Sequence, residues 1–495
     1  MSKGKTLRLL TVGLVLILSA SVKKKLTLLF FALLLILLPS VLNSEGLHFG
    51  IISAINNKVK ELKEQKEIDE LPQVTNIVDS TTMYGKIITG YQGWFSCIGD
   101  GSQFIDTWGH WFHWDATPDT ITLKVDMWPD IRELDEDELF TTNMKMSDGS
   151  PAMLFSSYKE KTVLRHFKWM QEYGIDGVFL QRFVSGLYDK TTPSFDFTRQ
   201  VMQNVRVGCE SYGRVFAIEY DITDADPNLI VNIIKQDWIS LVDEIKITQS
   251  ERYLKHKGKP VVVLWGFGFN DGHHDFTSSQ AMELIDWFKT TAEEKYQATL
   301  VGGVPSRWRT CRDDSFPDPE NGIKWSAVYR SYDVILPWTV GRYSNINEAN
   351  LWKEHMTKPD LIDAKSHEID YMPVVFPGFS FHNMHRNFHG TPVPPLNEIK
   401  REGGTFYWKQ IYNAISAFKE IACEYAMVKV AMFDEVDEGT AIFKLAPTIN
   451  DVPLGVDFVT LDIDGDNLPG DWYLTLTGEG AKMLRGEIPL NGELP

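Results

Sequence analysis

Short apolar runs rich in β-branched and aromatic residues recur along the chain from residue 84 onward, with stretches of helical apolar spacing between many of them. Runs of this length predict buried strands, and the stretches between them predict helices. The predicted strands are IITGYQGW (87–94), GVFLQRF (177–183), RVFAIEYD (214–221), PVVVLWG (260–266), ATLVGGV (298–304), DVILPW (333–338), MPVVFPG (372–378) and VKVAMFDE (428–435). The clearest predicted helices are 161–174, 195–213, 278–296 and 406–420.

Strands that alternate with helices are typical of parallel βαβ units. Eight of them predict the fold class α/β, as a (β/α)8 TIM barrel with long loops and a short C-terminal extension. A ninth candidate strand, TITLKVDM (120–127), lies in the long first connection and is interpreted as an excursion outside the barrel. The alternative is an open doubly wound sheet, which is disfavoured because no Gly-rich nucleotide loop follows any predicted strand.

Two apolar runs, 8–22 and 26–42, precede this body and are separated by three lysines. A basic cluster, an apolar run and then small polar residues predict a signal peptide, or a signal anchor where the segment is retained. We therefore predict a signal or anchor over 1–44, a polar stalk or linker over 45–83, and one folded domain with a C-terminal tail over 84–495. The expected location is extracytoplasmic, either secreted or anchored, with the N-terminal segment as the sole membrane contact.

The composition excludes some partners. A formal net charge of −18 repels phosphate backbones, so no nucleic-acid partner is expected.

The four cysteines (Cys97, Cys209, Cys311 and Cys423) are widely spaced, which gives no zinc motif and leaves one or two disulfides open. The DIDGDN stretch (462–467) lacks EF-hand spacing, so we expect neither a metal nor a cofactor. Nothing in the sequence defines an oligomeric state.

Carboxylates, aromatic rings and amides collect at the carboxyl ends of the predicted strands. Those ends meet at one rim of a parallel barrel, where the active sites of such folds lie. The mixture suits a carbohydrate, because flat rings stack on sugars while amides and carboxylates bind hydroxyl groups. The predicted substrate-binding residues are Tyr91, Gln92, Glu219, Asp221, Trp265, Trp338, Arg342, His382 and Asn383.

The densest acidic stretch is FDEVDEG (433–439), where Glu435 ends the last predicted strand and Glu438 follows three residues later. Two neighbouring carboxyl groups push their proton affinities apart, as an acid/base pair requires. Strand alternation predicts that Phe433 and Glu435 share one face and Asp434 lies on the other. An exposed acidic turn or a cation site is an equally good interpretation of the spacing alone.

The segment DEVDEGTAIF (434–443) resembles the Glu-x-x-Glu-Gly-Thr signature of glycoside hydrolase family 99, the endo-α-mannosidase family. Together with PGFSFHN (377–383), GGTFYWKQ (403–410) and LPGDWYLTLTGEGAKMLRGEIP (468–489), it resembles family 71/99-like proteins, often labelled xylosidases or arabinosidases. The resemblance covers about residues 84–490.

This resemblance implies a retaining glycoside hydrolase that acts on a polysaccharide or glycan. Glu435 would be the base that deprotonates the sugar 2-hydroxyl, Glu438 the acid/base, and Glu219 a carboxylate near the same sugar. Family 99 has Trp-His where this chain has Val436 and Asp437, and its Arg-containing loop is replaced by the His382-Asn383 loop. The alternative function is a catalytically silent, carbohydrate-binding barrel.

Overall fold

A computed structural model describes residues 76–104, 107–113, 118–386 and 392–495. The predicted signal or anchor and most of the predicted linker lie outside these residues. Over the described ranges, no helix is both long and apolar enough to cross a membrane. The end of the predicted linker belongs to the fold, because Val78 N donates to Gly213 O at 2.9 Å and Lys255 N donates to Ser80 O at 2.7 Å. The domain therefore starts earlier than the predicted residue 84.

Nine parallel strands form one curled sheet in the order β10-β9-β8-β7-β5-β4-β1-β12-β11, and the short β6 pairs antiparallel with β7. The hairpin β2–β3 stands apart from this sheet. The strands are β1 (Ile87–Tyr91), β2 (Leu139–Lys145), β3 (Pro151–Phe155), β4 (Gly177–Phe183), β5 (Val215–Asp221), β6 (Lys255–His256), β7 (Lys259–Trp265), β8 (Thr299–Pro305), β9 (Val334–Trp338), β10 (Asp370–Tyr371), β11 (Val374–Val375) and β12 (Val428–Val430).

The two edges of the sheet, β10 and β11, are consecutive segments of one chain run. Tyr371 pairs with Ile335 of β9, whereas Val375 pairs with Val430 of β12. The predicted strand 372–378 is therefore wrong in its bounds. Pro373, which has no N–H to donate to a ladder, separates two strands of two residues each. The prediction of a parallel α/β sheet is confirmed.

Ten α-helices are assigned within the described residues: α1 (Glu160–Tyr173), α2 (Pro193–Tyr212), α3 (Ile230–Asp243), α4 (Ser278–Asp286), α5 (Trp325–Tyr329), α6 (Ile346–Trp352), α7 (Lys358–Ser366), α8 (His382–Arg386), α9 (Thr405–Glu420) and α10 (Trp472–Arg485). Helices α1 and α2 end as predicted, because Gly174 and Gly213 adopt left-handed conformations with φ of 78° and 63°. Helix α4 is shorter than predicted and passes into a π-helical turn over Trp287–Thr291.

The long connection between β1 and β4 contains the hairpin β2–β3, which the sequence analysis did not predict. The candidate strand 120–127 is not part of the sheet, and Leu123 forms only an isolated bridge with Phe112. The segment therefore lies outside the parallel sheet, as expected of an excursion.

The C-terminal extension packs against the body through α10. Gly478 lies so close to α1 that an added Cβ atom would stand 1.8 Å from the carbonyl oxygen of Tyr173. This approach needs a residue without a side chain, because the obstacle is backbone and cannot rotate away.

We predict that Gly478→Ala lowers the free energy of unfolding by about 1–3 kcal/mol, the usual cost of overpacking. At an unobstructed helix position the same change would raise it by about 1 kcal/mol. Lys482→Ala, on the exposed side of the same helix, should stay within about 0.5 kcal/mol of wild type. Chemical denaturation measures all three proteins, and a Gly478→Ala variant as stable as wild type would contradict the close packing.

Candidate active site

Side chains alternate between two faces along β4 and β5. Arg182 Nε and the Tyr220 hydroxyl point outward and donate to Asp237 Oδ2 of α3, at 2.7 and 2.8 Å. Gln181 and Asp221 occupy the opposite face, inside the curl of the sheet, where Gln181 Nε2 donates to Asp221 Oδ2 at 2.7 Å. The predicted residue Asp221 therefore lies in the interior.

A buried ion pair crosses this interior. The Lys429 ammonium of β12 lies 2.6 and 2.7 Å from the two carboxylate oxygens of Glu219 on β5. Lys429 and Glu219 are 1% and 0% exposed. Burial raises the pKa of Glu219 even though Lys429 opposes this rise. Both oxygens of Glu219 thus accept from Lys429, and the sugar-binding role of this residue stays a prediction.

Two predicted tryptophans lie next to this pair. The Lys429 ammonium is 5.5 Å from the ring centroid of Trp338, and the Trp338 and Trp265 rings meet edge to face with centroids 5.4 Å apart. Both rings are half-buried. They provide aromatic surface at the carboxyl ends of β7 and β9, where a sugar ring would stack.

The acidic segment, residues 434–438, does not continue β12. The strand ends at Val430, and Phe433 packs outward with its ring centroid 5.4 Å from that of His166 on α1. The predicted alternation, with Phe433 and Glu435 on one face and Asp434 on the other, is therefore wrong. Asp434 and Glu435 are both buried.

Hydrogen bonds from the end of β1 hold the acidic segment. Asp434 accepts from the backbone N–H groups of Gln92 and Gly93 at 2.8 and 2.9 Å. Gln92 Nε2 donates to Glu435 Oε2 at 2.9 Å, and Asp437 N donates to Glu435 Oε1 at the same distance. Both carboxylate oxygens of Glu435 thus accept hydrogen bonds, and the predicted residues Gln92 and Glu435 are in contact.

Like charges and burial raise the proton affinity of the Glu435–Glu438 pair. Burial, followed by the charges of Asp437 and Glu438, raises the pKa of Glu435 well above its ordinary value. Burial and then Asp437 raise the pKa of the half-buried Glu438 to about 7, and Asp221 adds to this rise. Both carboxyl groups therefore hold a proton to a higher pH than an exposed glutamate does.

Lys124, His110 and Asp437 belong to this site, although the sequence analysis gave them no role in it. Lys124 Nζ lies 2.7 Å from Asp437 Oδ2, and His110 stacks on Trp94 with ring centroids 3.8 Å apart. The signals are weak: Lys124 is a single lysine within the apolar TITLKVDM run, and Asp437 stands out only as a departure from the family 99 motif.

Four other predicted residues have different surroundings. Tyr91 is fully buried, and its hydroxyl hydrogen-bonds with His166 Nδ1 at 2.8 Å. His382 and Asn383 donate their backbone N–H groups to Asp126 at 2.7 Å each, and Asn383 is fully buried. Arg342 is exposed and pairs with Asp314 at 3.1 Å. Tyr91 and Asn383 are thus enclosed by protein, and the sugar-binding roles of all four residues stay predictions.

The structure also answers the question of disulfides, because the four cysteines are free thiols. Asp135, Asp137 and Glu138 are close enough to share an ion, but Lys161 and Arg165 already pair with them. In the DIDGDN stretch, Asp464 accepts hydrogen bonds from Asn397 and Glu402 and so fixes a turn.

Solved glycoside hydrolases have a similar fold. A GH99 endo-α-mannosidase from Bacteroides thetaiotaomicron is 13% identical and has a TM-score of 0.54, with 82% of this chain and 99% of that chain covered. A structure of the GH99 endo-α-mannosidase in complex with bis-tris propane covers the same shares at 14% identity and a TM-score of 0.54. A glycoside hydrolase-like protein is 13% identical over 74% of this chain and 96% of that chain, with a TM-score of 0.44. No family model matches the sequence, and no curated protein matches it. At these identities the likeness to the two GH99 structures shows a shared fold alone.

We predict that Lys429→Met lowers the free energy of unfolding by about 3–5 kcal/mol, because it leaves Glu219 charged and unpaired in the interior. The loss should be larger at pH 8 than at pH 5, since Glu219, whose pKa is already raised, becomes protonated at low pH and then needs no cation.

Chemical denaturation at the two pH values measures this difference. The double variant Glu219→Gln/Lys429→Met removes both charges and should regain stability at pH 8. Equal stability of Lys429→Met and wild type at both pH values would show that the pair is dispensable.

Proposed function

We propose that this protein is a retaining glycoside hydrolase that cleaves a polysaccharide or glycan. The observation that carries the proposal is the pair of buried Glu435 and half-buried Glu438, three residues apart at the carboxyl end of a curled parallel sheet, both with raised pKa values. Half-buried Trp265 and Trp338 lie at the same end and supply stacking surface. We further infer that the sheet is a closed (β/α)8 barrel whose seventh strand is broken at Pro373.

The hydrogen bonds favour Glu435 as the base. Both of its oxygens accept from the protein, which is the pattern of an ionised carboxylate, and this opposes the effect of burial. Glu438 is more exposed and has a pKa of about 7, which suits a general acid at neutral pH. The resemblance to family 99 implies the same assignment.

In the first step, Glu435 takes the proton of the sugar 2-hydroxyl, and that oxygen attacks the anomeric carbon. The glycosidic bond breaks, and Glu438 donates its proton to the leaving oxygen, which gives a 1,2-anhydro sugar. In the second step, Glu438 takes a proton from water, and the water oxygen attacks the anomeric carbon. The bond between that carbon and the 2-oxygen breaks, and Glu435 returns its proton to the 2-oxygen. Two displacements at one carbon retain the anomeric configuration.

Hydrolysis of a panel of glycans, followed by NMR of the first product anomer, tests the proposal. Retained configuration in the product is expected, and an inverted product would exclude this mechanism. Glycan binding without any cleavage would favour the alternative, a catalytically silent carbohydrate-binding barrel. Because Val436 and Asp437 stand where family 99 has Trp-His, the panel should extend beyond mannosides to xylosides and arabinosides.

We predict that Glu438→Gln and Glu435→Gln each lower turnover by about 10²–10⁴-fold on unactivated glycosides, the usual size of acid/base contributions. Glu438→Gln should keep much of its rate on an activated aryl glycoside, because such a leaving group needs little protonation. Glu435→Gln should lose activity on both kinds of substrate, since the 2-hydroxyl then stays protonated.

Exposed Glu424 is the matched control, and Glu424→Gln should behave as wild type. In wild type, the rate should fall on the acidic side as Glu435 gains a proton, and above about pH 7 as Glu438 loses its own. Wild-type turnover in either active-site variant would remove that residue from the mechanism.

We also propose an extracytoplasmic location, on the basis of the apolar runs at 8–22 and 26–42 and the lysines between them. Cell fractionation of the full-length chain should find it in the membrane or outside the cytoplasm. Recovery of uncleaved, soluble chain from the cytoplasm would contradict this location.

A further inference from the structure

The excursion between β1 and β2 places the side chain of Lys124 next to the acidic segment. Lys124 Nζ lies 2.7 Å from Asp437 Oδ2, and the two side chains are 14% and 1% exposed. In sequence they are 313 positions apart. A pair this well shielded from water interacts far more strongly than a pair on the surface.

The backbones on both sides of this pair are fixed. Lys124 N donates to Trp111 O at 3.1 Å, and Asp126 N donates to Val436 O at 2.9 Å. The Asp126 carboxylate also accepts from the Ser380 hydroxyl at 2.5 Å. The excursion is therefore tied both to the acidic segment and to the loop after β11, so the pairing does not depend on two freely moving side chains.

Three titratable groups besides Asp437 interact with the Lys124 charge: His110, Glu435 and Glu438. The Lys124 ammonium lies 3.3 Å from His110 Nδ1, and the same nitrogen of His110 lies 3.6 Å from Asp437 Oδ2. Burial and Lys124 lower the pKa of His110 to about 4. Within the acidic segment the Lys124 charge acts on Glu435 and Glu438, and Asp221 of β5 acts on Glu438 from the facing strand.

Lys124 and Asp437 act on the glutamate pair in opposite senses. The cation favours the ionised form of each glutamate, and the anion favours the protonated form. Burial alone would raise the pKa of Asp437, but Lys124 and His110 outweigh burial and lower it, so Asp437 stays ionised. Removing the Lys124 charge therefore favours the protonated form of both glutamates, and removing the Asp437 charge favours their ionised form.

We propose that Lys124, paired with Asp437, is a positioning residue that sets the pH range in which Glu435 is ionised while Glu438 is protonated. The proposal rests on the proposed function for its catalytic meaning. A unit charge about 5 Å away, at an effective dielectric constant of about 20, moves a titration by roughly two pH units, and solvent access reduces this shift.

The test compares opposite charge changes in the full-length protein. Lys124→Met should move both limbs of the pH–rate profile upward by about one pH unit, and Asp437→Asn should move both downward by a similar amount. Lys124→Arg keeps the charge and should restore the wild-type profile. Lys161→Met is the control, because Lys161 pairs with the surface residues Asp135 and Asp137.

A second readout does not require activity. The pKa values of Glu435 and Glu438 in the folded protein lie above their unfolded values, so stability falls as pH rises from the unfolded to the folded pKa. Between pH 6 and pH 8 the melting temperature should fall more steeply in Lys124→Met than in wild type. It should fall less steeply in Asp437→Asn, and Lys161→Met should follow wild type.

The slope of melting temperature against pH distinguishes failure of this proposal from failure of the proposed function. Opposite changes of slope in the two variants would support the role of Lys124 even if no glycan is cleaved. Unchanged slopes, or changes of the same sign, would overturn it. If Lys124→Met does not fold, the slope of Asp437→Asn decides alone: a shallower slope supports the proposal and an unchanged one overturns it.

Discussion

A carboxylate that leaves water must receive a cation or several hydrogen-bond donors, and this constraint governs the interior of the sheet. Glu219 receives the ammonium of Lys429, which reaches it across the curl from a strand that is not its neighbour. Asp434 receives two backbone N–H groups at the end of β1. Each solution requires elements distant in sequence to meet, so the burial of charge and the curling of the sheet depend on each other.

The same constraint separates the two glutamates of the acidic segment. Glu435 is enclosed and accepts from Gln92 and from the N–H of Asp437, whereas Glu438 remains half-buried. Two identical side chains three residues apart therefore differ in exposure and in hydrogen bonding. Such an asymmetry is what acid/base chemistry requires of a carboxyl pair. It arises because the chain leaves the strand direction after Val430 and turns back toward β1.

The sequence was sufficient to predict those elements whose ends depend on neighbouring residues alone. Helices α1 and α2 could be predicted to their last residues, because Gly174 and Gly213 end them in a left-handed conformation that other residues disfavour. The broken strand at Pro373 was harder, since each half pairs with a different neighbour, and strand pairing is a tertiary property. The hairpin β2–β3 lies apart from the sheet, so the regular βαβ alternation gave no signal for it.

The candidate site, too, was predictable only in part. Gln92 and Glu435 follow strands that are neighbours in the sheet, so their positions at the strand ends predicted that they lie close together. Tyr91 and Gln92 are adjacent in sequence, so strand alternation alone excludes that both face the interior. The structure places Tyr91 on the outer face, against α1. Lys124 could not be predicted, because its position depends on a long connection that has no periodic pattern.

The acidic segment depends on a charge that comes from a distant part of the chain. A carboxylate between two glutamates, where family 99 has Trp-His, raises the proton affinity of both neighbours. Without a counter-charge, Asp437 would itself tend to become protonated, because burial acts against its ionised form. Lys124 offsets that effect from an excursion fixed to the backbone of Val436. Asp437 and Lys124 therefore act as one unit, since either charge alone in this buried site would destabilise the acidic segment.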